Sequence, residues 1–313
     1  MPGALASRTV LIAGAGLAGL TAAYELKKLG ASVRVVESRR DRIGGRVWTR
    51  RDFQHDQHAE AGGDLIEGTQ TELLRLAQEL KCDSVRVLRS GFSYYTAANR
   101  KIENGSKAWS RLGAALQDHV RSYKLAEQRW HGGVARSLAR RSVEDWLRTV
   151  DDEGIPPIAV GLRGFFLADP SDLSLLALVD QFASDDPASA RMFRLKSGND
   201  SLVRALAAQI GDEILLGTTV VAVNHGATRV QVRLRGRDGA LDEMTADYVI
   251  LAIPAATLKA VAIDPPLPDR QRQAINQLPY GQATRVLVQF DRRFWRAPGR
   301  GRAFGTDLPI GAL

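Results

Sequence analysis

The run from Val10 to Arg46, VLIAGAGLAGLTAAYELKKLGASVRVVESRRDRIGGR, constrains this chain more than any other stretch. Its four opening apolar residues, Val10 to Ala13, predict a buried parallel strand that leads directly into Gly14-Ala15-Gly16-Leu17-Ala18-Gly19. A helical pattern follows, with Leu20, Ala23, Tyr24 and Leu26 broadly on one face. Gly30 stops that helix, Val33 to Val36 gives a second strand, and Glu37 stands at its end. Strand, GxGxxG turn, helix, strand and terminal acid in this order predict a βαβ unit built around a dinucleotide. Gly14 permits the tight turn, Gly16 lets backbone approach a pyrophosphate, and Gly19 lets helix and strand pack closely. The helix N-terminus offers N–H groups and a positive dipole end to the phosphates. Glu37 suits ribose hydroxyls and opposes a 2′-phosphate, which leaves NAD and FAD both open.

Composition narrows the surroundings of that unit. The 313 residues can hold one large or two ordinary domains, and 44% hydrophobic with 25% charged residues is a globular balance. A single cysteine, Cys82, excludes an internal disulfide framework and predicts a reducing, cytoplasmic setting. No apolar run approaches the roughly 20 residues of a membrane span, and MPGALASRTV reads as a lead-in to the first strand. The net charge of +8 comes from scattered arginines such as Arg39-Arg40, Arg140-Arg141 and Arg292-Arg293, with no nucleic-acid module signature. His119, His131 and His225 are dispersed, and His55 and His58 lie in a polar loop. No metal site and no Ser-His-Asp or Cys-His set is expected.

Two further glycine pairs extend the first theme. Gly44-Gly45-Arg46 precedes a short strand, Val47 to Thr49, and Ala59-Glu60-Ala61-Gly62-Gly63-Asp64 follows a polar loop. The GxGxxG with Glu37, then GGRVWTR, then AEAGGDLIEG, together resemble the FAD-dependent amine oxidases of the monoamine, polyamine and L-amino-acid oxidase type. The resemblance implies FAD as cofactor. Gly14, Gly16, Gly19 and Glu37 would hold its ADP part, and Arg46 would lie near pyrophosphate and flavin. Gly62 and Gly63 would pass by the isoalloxazine. Ala15, Ala18, Arg39 and Gly45, within or beside these motifs, complete the expected cofactor set.

The rest of the chain alternates helical and strand patterns. Thr71 to Leu80 predicts an amphipathic helix, and Gly91 to Glu103 a hairpin before the turn Asn104-Gly105. From Ser106 to about Ala168 the pattern is mostly helical, with Ser142 as a helix start and Pro156-Pro157 as a break. Trp109, Trp130, Trp146, Phe165 and Phe166 read mostly as core, with one or two lining a substrate cavity as the alternative. Leu202 to Ile210 predicts a helix; Val220 to Val223, Val230 to Leu234 and Tyr248 to Ile253 predict strands. By the resemblance, the Val220 backbone meets the adenine. The expected fold is therefore α/β: a discontinuous Rossmann-type FAD-binding domain (1–85 and 195–262) with an inserted α+β substrate domain (86–194 and 263–313).

Thr284 to Phe290 (TRVLVQF) predicts a half-buried strand. Many family members place a lysine on this strand near flavin N5, and the matching position here is Arg285. Arginine stays charged and cannot act as a tunable base, so the position is a candidate catalytic site that leaves oxidase and dehydrogenase both open. An outward-facing strand arginine is the plain alternative. The tail from Gly305 to Leu313 reads as a loop, where the family continues with a further flavin-contacting part. The resemblance thus implies an incomplete member: a truncated product, a fragment or one piece of a two-chain enzyme, with an unpaired sheet edge.

The expected function is oxidation of a C–N bond of an amine or amino acid by hydride transfer to FAD. The alternatives are a related flavin desaturase or protoporphyrinogen-oxidase-like enzyme, and a non-catalytic nucleotide-binding remnant. Expected partners are the small-molecule substrate, and a second copy or a completing C-terminal chain.

Overall fold

In the computed structural model, strand β1 (Thr9–Ala13) is almost wholly buried. Its side chains alternate between two cores, as the period of a strand requires. Val10 and Ile12 pack with Leu20 and Ala23 of helix α1 (Leu17–Lys28), with Val33 and Val35, and with Leu202, Leu206 and Ile210 of the helix Asp200–Ile210. Leu11 and Ala13 face the other way, into a core shared with Val36, Val220, Val223, Val232 and Leu234. The structure describes residues 3, 5–89, 93–97, 100–184, 191–226, 228–294 and 304–308.

Strand β2 (Ser32–Glu37) pairs in parallel with β1 on one side and with Ile214–Leu216 on the other. Tyr248–Leu251 pairs in parallel with the far side of β1, giving a four-stranded parallel sheet in the order Ile214–Leu216, β2, β1, Tyr248–Leu251. A second sheet has Thr219–His225, Val230–Arg235 and Leu241–Ala246 antiparallel, with Ala262–Asp264 added in parallel. Helices, parallel sheet and second sheet together form one compact unit of residues 1–66, 70–85 and 193–280. Residues 263–280, expected with the substrate domain, lie in this unit because Ala262–Asp264 pairs with its second sheet.

The second unit takes in 67–69, 86–192 and 281–313. Its helices pack around Leu112, Leu116, Tyr123, Trp146, Leu175 and Leu178, all buried. The hairpin forms between Ser93–Thr96 and Lys101–Asn104. Asn104-Gly105 then starts a helix, Gly105–Ala115, because the Asn104 side chain accepts from the Ser106 amide. Ser142 caps Val143–Leu147 with a reciprocal bond to Asp145, a capping box. Pro156 and Pro157 begin a helix, Ile155–Gly161, where missing N–H groups cost nothing.

Of the aromatic residues expected in the core, Trp146 is buried and Trp109 stacks on Phe182 at 4.2 Å. Trp130 and Phe165 are instead exposed. Two expectations near the end are corrected. Residues 281–290 have no regular structure and are mostly exposed, because among the described residues no strand pairs with them. The tail is not all loop: Phe304–Thr306 is a strand parallel to Ser93–Thr96. Residues 309–313 of the expected loop, and Trp295, lie outside the described residues.

Candidate functional site

Three loops of the first unit meet through their backbones. At the end of β1, Gly14 takes φ +104° and donates its amide to the Val36 carbonyl at 2.7 Å. A Cβ on Gly14 would sit 2.7 Å from the Ala252 carbonyl oxygen, and one on Gly19 would sit 1.9 Å from the Gly14 carbonyl oxygen. Neither position has room for a side chain. Gly16 differs: nothing lies within 4 Å of where its Cβ would be. The N-terminus of α1 therefore opens on free space, with no side-chain cap and no acidic residue in its first turn.

Glu37 is 7% exposed and spans the first two loops. Its Oε2 accepts from the Ala15 amide at 2.9 Å, and its Oε1 accepts from the Arg39 amide at 2.9 Å and more distantly from the Ser38 hydroxyl. A carboxylate offers about four acceptor positions, so capacity remains for a further donor. The acid thus fastens the glycine loop to the end of β2. Next to it, the Thr218 amide donates to the Glu37 carbonyl at 2.9 Å, leading into the strand that carries buried Val220.

The Gly44–Arg46 turn bonds directly to the first loop: the Gly44 amide donates to the Ala15 carbonyl at 2.8 Å, and Gly44 and Gly16 form a parallel bridge. Gly44 and Gly45 both take positive φ, +96° and +54°. The third segment packs on this turn. The Gly63 amide donates to the Arg46 carbonyl at 2.8 Å, and a Cβ on Gly62 would lie 2.0 Å from that same oxygen. The Arg46 side chain is exposed, and among the described residues it has no ion-pair partner.

A buried polar node holds the third segment. Glu60, 6% exposed, accepts from the Thr49 hydroxyl at 2.8 Å and from the Asn199 amide at 2.9 Å. Asn199, also 6% exposed, donates its side-chain amide to the carbonyls of Gly63 (2.9 Å) and Asp64 (2.7 Å) and accepts from the Leu195 amide. Arg51 closes the outside of the node with a two-pronged bond to Asp200 at 2.8 and 2.6 Å. Burial pushes the Asp200 carboxyl up, but Arg51 and Arg204 outweigh it and leave the group below its ordinary range. Sequence reasoning missed Glu60 and Asn199 as site residues. The only local signal was an acid two residues before a glycine pair and an asparagine at a helix start.

The first unit thus holds Gly14, Ala15, Gly16, Ala18, Gly19, Glu37, Arg39, Gly45, Arg46, Gly62, Gly63 and Val220. Direct backbone or carboxylate bonds link Ala15, Glu37, Arg39, Gly44, Arg46 and Gly63. Arg285 belongs to the second unit, in the exposed segment 281–290. A surface cavity of about 590 Å³ lined by Leu74, Arg75, Gln78, Cys82 and Phe193 includes none of the glycine-loop residues. Its Arg75 is already paired with Glu72 and Glu79, so we place no chemistry there. Among the described residues no group of three or more His, Cys, Asp or Glu could hold a metal, and no helix is long and apolar enough to cross a membrane.

The sequence profile described as flavin containing amine oxidoreductase matches residues 17–312. The chain is 30% identical to a protein named as a flavin-containing monoamine oxidase of Mycobacterium tuberculosis, covering 96% of this chain and 69% of that protein. It is also 30% identical to putrescine oxidase of Kocuria rosea, covering 96% and 68%. An L-amino-acid oxidase of Bungarus fasciatus is 26% identical, with 61% of its length covered. Among solved structures, putrescine oxidase bound to putrescine superposes with TM-score 0.67 at 27% identity, covering 86% of this chain and 63% of that one. The chain spans about two thirds of the length of these relatives.

Proposed function

The chain belongs to the flavin containing amine oxidoreductases, and from that premise we propose that it binds FAD on the three converging loops and oxidises a C–N bond of an amine or amino acid. The observation that supports this most is the open space over Gly16 beside the buried carboxylate of Glu37, while Gly14, Gly19, Gly44 and Gly62 are closed by backbone. That cradle fits the ADP part of FAD. Gly16 and the α1 N-terminus would meet the pyrophosphate, and the spare acceptor capacity of Glu37 would take a ribose hydroxyl. Arg46, exposed on its turn, is the cation for phosphate or flavin. Gly62 and Gly63 would pass the isoalloxazine, the Val220 backbone would meet the adenine, and Ala15, Ala18, Arg39 and Gly45 complete the lining. On this reading the parallel sheet is a Rossmann-type dinucleotide fold, discontinuous in sequence.

FAD, when bound, would supply the hydride-accepting redox chemistry of C–N oxidation. The residues of this chain bind and orient. Glu37 fixes the glycine loop and would take the ribose, while Glu60 and Asn199 hold the Gly62-Gly63 segment, whose Gly63 amide bonds to the Arg46 carbonyl. Arg285 is the candidate catalytic position on the second unit. Its permanent charge favours holding a water or an anion over accepting a proton. Relatives named for putrescine and L-amino acids support an amine or amino acid as the substrate class. The single cysteine supports a cytoplasmic setting. A second copy as partner is part of this proposal.

Purification followed by reconstitution with FAD tests the cofactor. We expect retained flavin with its absorbance bands, and a colourless protein after reconstitution would sink the reading. Anaerobic mixing with putrescine and a panel of L-amino acids tests turnover, with bleaching of the flavin as the expected result. Flavin retained but reduced by none of them would point to a nucleotide-binding chain without turnover. Bleaching by a porphyrinogen or polyene alone would point to the related C–C-oxidising flavoproteins.

A further inference from the structure

The Gly44–Arg46 turn has little of its own to hold its shape, because two adjacent glycines at positive φ contribute no side chains. Arg42 supplies what the glycines lack. Its Nη1 donates to the Gly45 carbonyl at 2.9 Å and to the Ile43 carbonyl at 3.3 Å, so one guanidinium spans the turn. The same guanidinium lies 4.6 Å from the centroid of the Trp48 ring. Arg50 approaches that ring too, at 5.0 Å, and is itself anchored by the Asp52 carboxylate. Among the described residues Arg42 forms no ion pair, although burial and then the neighbouring Arg39 charge lower its pKa. A half-buried cation held by carbonyls and a π-face, with Asp41 and Glu37 near it but in no ion pair with it, is placed for geometry more than for charge pairing.

We propose that Arg42 is a positioning residue for the cofactor, and that Arg42, Trp48 and Arg50 clamp the Gly44–Arg46 turn in the shape that aims Arg46. The clamp rests on the FAD reading above. Trp48 fixes the plane of the Arg42 guanidinium, its Nη1 fixes the carbonyls of residues 43 and 45, and these fix the direction of the peptide that carries Arg46. The amides of Gly63 and Ala61 hold the other edge by bonding to the carbonyls of Arg46 and Trp48, both at 2.8 Å.

The test is the FAD dissociation constant of the full chain, read from quenching of flavin fluorescence as apoprotein is titrated in. Trp48→Leu leaves every charge in place, and Arg42→Lys keeps the charge but loses the planar guanidinium that faces Trp48 while its Nη1 reaches both carbonyls. Each is expected to weaken FAD between about threefold and thirtyfold, the range that one partly desolvated cation–π contact spans. The unfolding midpoint of the apoprotein should barely move. Trp48→Phe, which keeps a π-face, should restore most of the affinity. Wild-type affinity in Arg42→Lys would mean that only a cation is needed and would overturn the clamp, as would wild-type affinity in Trp48→Leu. If Trp48→Leu does not fold, Arg42→Lys decides alone. If the unaltered chain takes up no FAD, the cofactor reading itself fails, and the clamp with it.

Discussion

Strand β2 reads SVRVVE and residues 284–290 read TRVLVQF, so both carry β-branched residues in near alternation. One is the centre of a sheet and the other is not a strand at all. In β2, Val35 is fully buried and sits opposite Ile12 on one side and Ile214 on the other. In 284–290, Val286 is 76% exposed and Val288 62%. The difference teaches that strand propensity is a capacity to pair, realised only where a neighbouring edge is offered. β2 is offered two edges by local chain reversal through α1 and by Ile214–Leu216. The later segment is offered none among the described residues.

The comparison breaks most sharply at Val35. Val35→Pro removes a ladder donor flanked on both sides and a buried side chain, and should cost at least about 4 kcal/mol. We expect no cooperative unfolding transition for this variant by circular dichroism. Native-like melting would show that the parallel sheet is not the organising element. Second in size is Gly19→Ala, which forces a methyl to 1.9 Å from the Gly14 carbonyl oxygen. Loss of about 3 kcal/mol in chemical denaturation, typical of overpacking against backbone that cannot retreat, should come with loss of FAD retention.

How far the sequence was legible follows the same division. The β1–α1–β2 unit could be read because its signals are local: an apolar run, glycines at fixed spacing and a stop at Gly30. The hairpin at Ser93–Asn104 and the Ser142 cap were readable for the same reason. Pro156-Pro157 was misread, since proline breaks a helix inside it but starts one at its first turn. Asn199 was hidden by a competing local meaning. An asparagine before a helix reads as a cap, yet this side chain makes no capping bond and turns to Gly63 and Asp64, more than a hundred residues away. No local pattern encodes that choice.

Asn199 supplies the third prediction, because the node is the non-local counterpart of the glycine fingerprint. Asn199→Ala leaves the buried Leu195 amide without its acceptor, and the Gly63 and Asp64 carbonyls without their donor at the part-buried edge of the node. It should cost about 2 kcal/mol, measured by urea denaturation. A neutral result would mean that water replaces the side chain and that the third segment is held by its backbone bonds alone.

A fourth prediction concerns charge on the surface of the same unit. The hydroxyl of Tyr24, followed by Lys28, draws the Glu79 carboxyl from 4.5 down to about 2. Because the folded pKa is the lower one, this contribution is present above the ordinary carboxylate range and is lost as pH falls through about 2. Glu79→Gln should therefore flatten the decline of stability between roughly pH 4.5 and 2. Glu79 is solvent-screened, so the effect should be small and shrink further in salt. An unchanged acid titration at low ionic strength would remove Glu79 from the account.

The smallest effect is the most direct test of the opening comparison. Val286→Pro places in TRVLVQF the same residue that should abolish β2, at a position equally apolar and equally β-branched. If propensity alone made strands, the two substitutions would be alike. Here the Val286 side chain faces solvent, and residues 281–290 belong to no ladder, so the ring displaces no packed group. Stability of the chain should change by no more than about 0.5 kcal/mol. A loss of several kcal/mol would show that 284–290 pairs in solution with an edge absent from this structure. That pairing should be recoverable as protection of the Val286 and Val288 amides in hydrogen exchange.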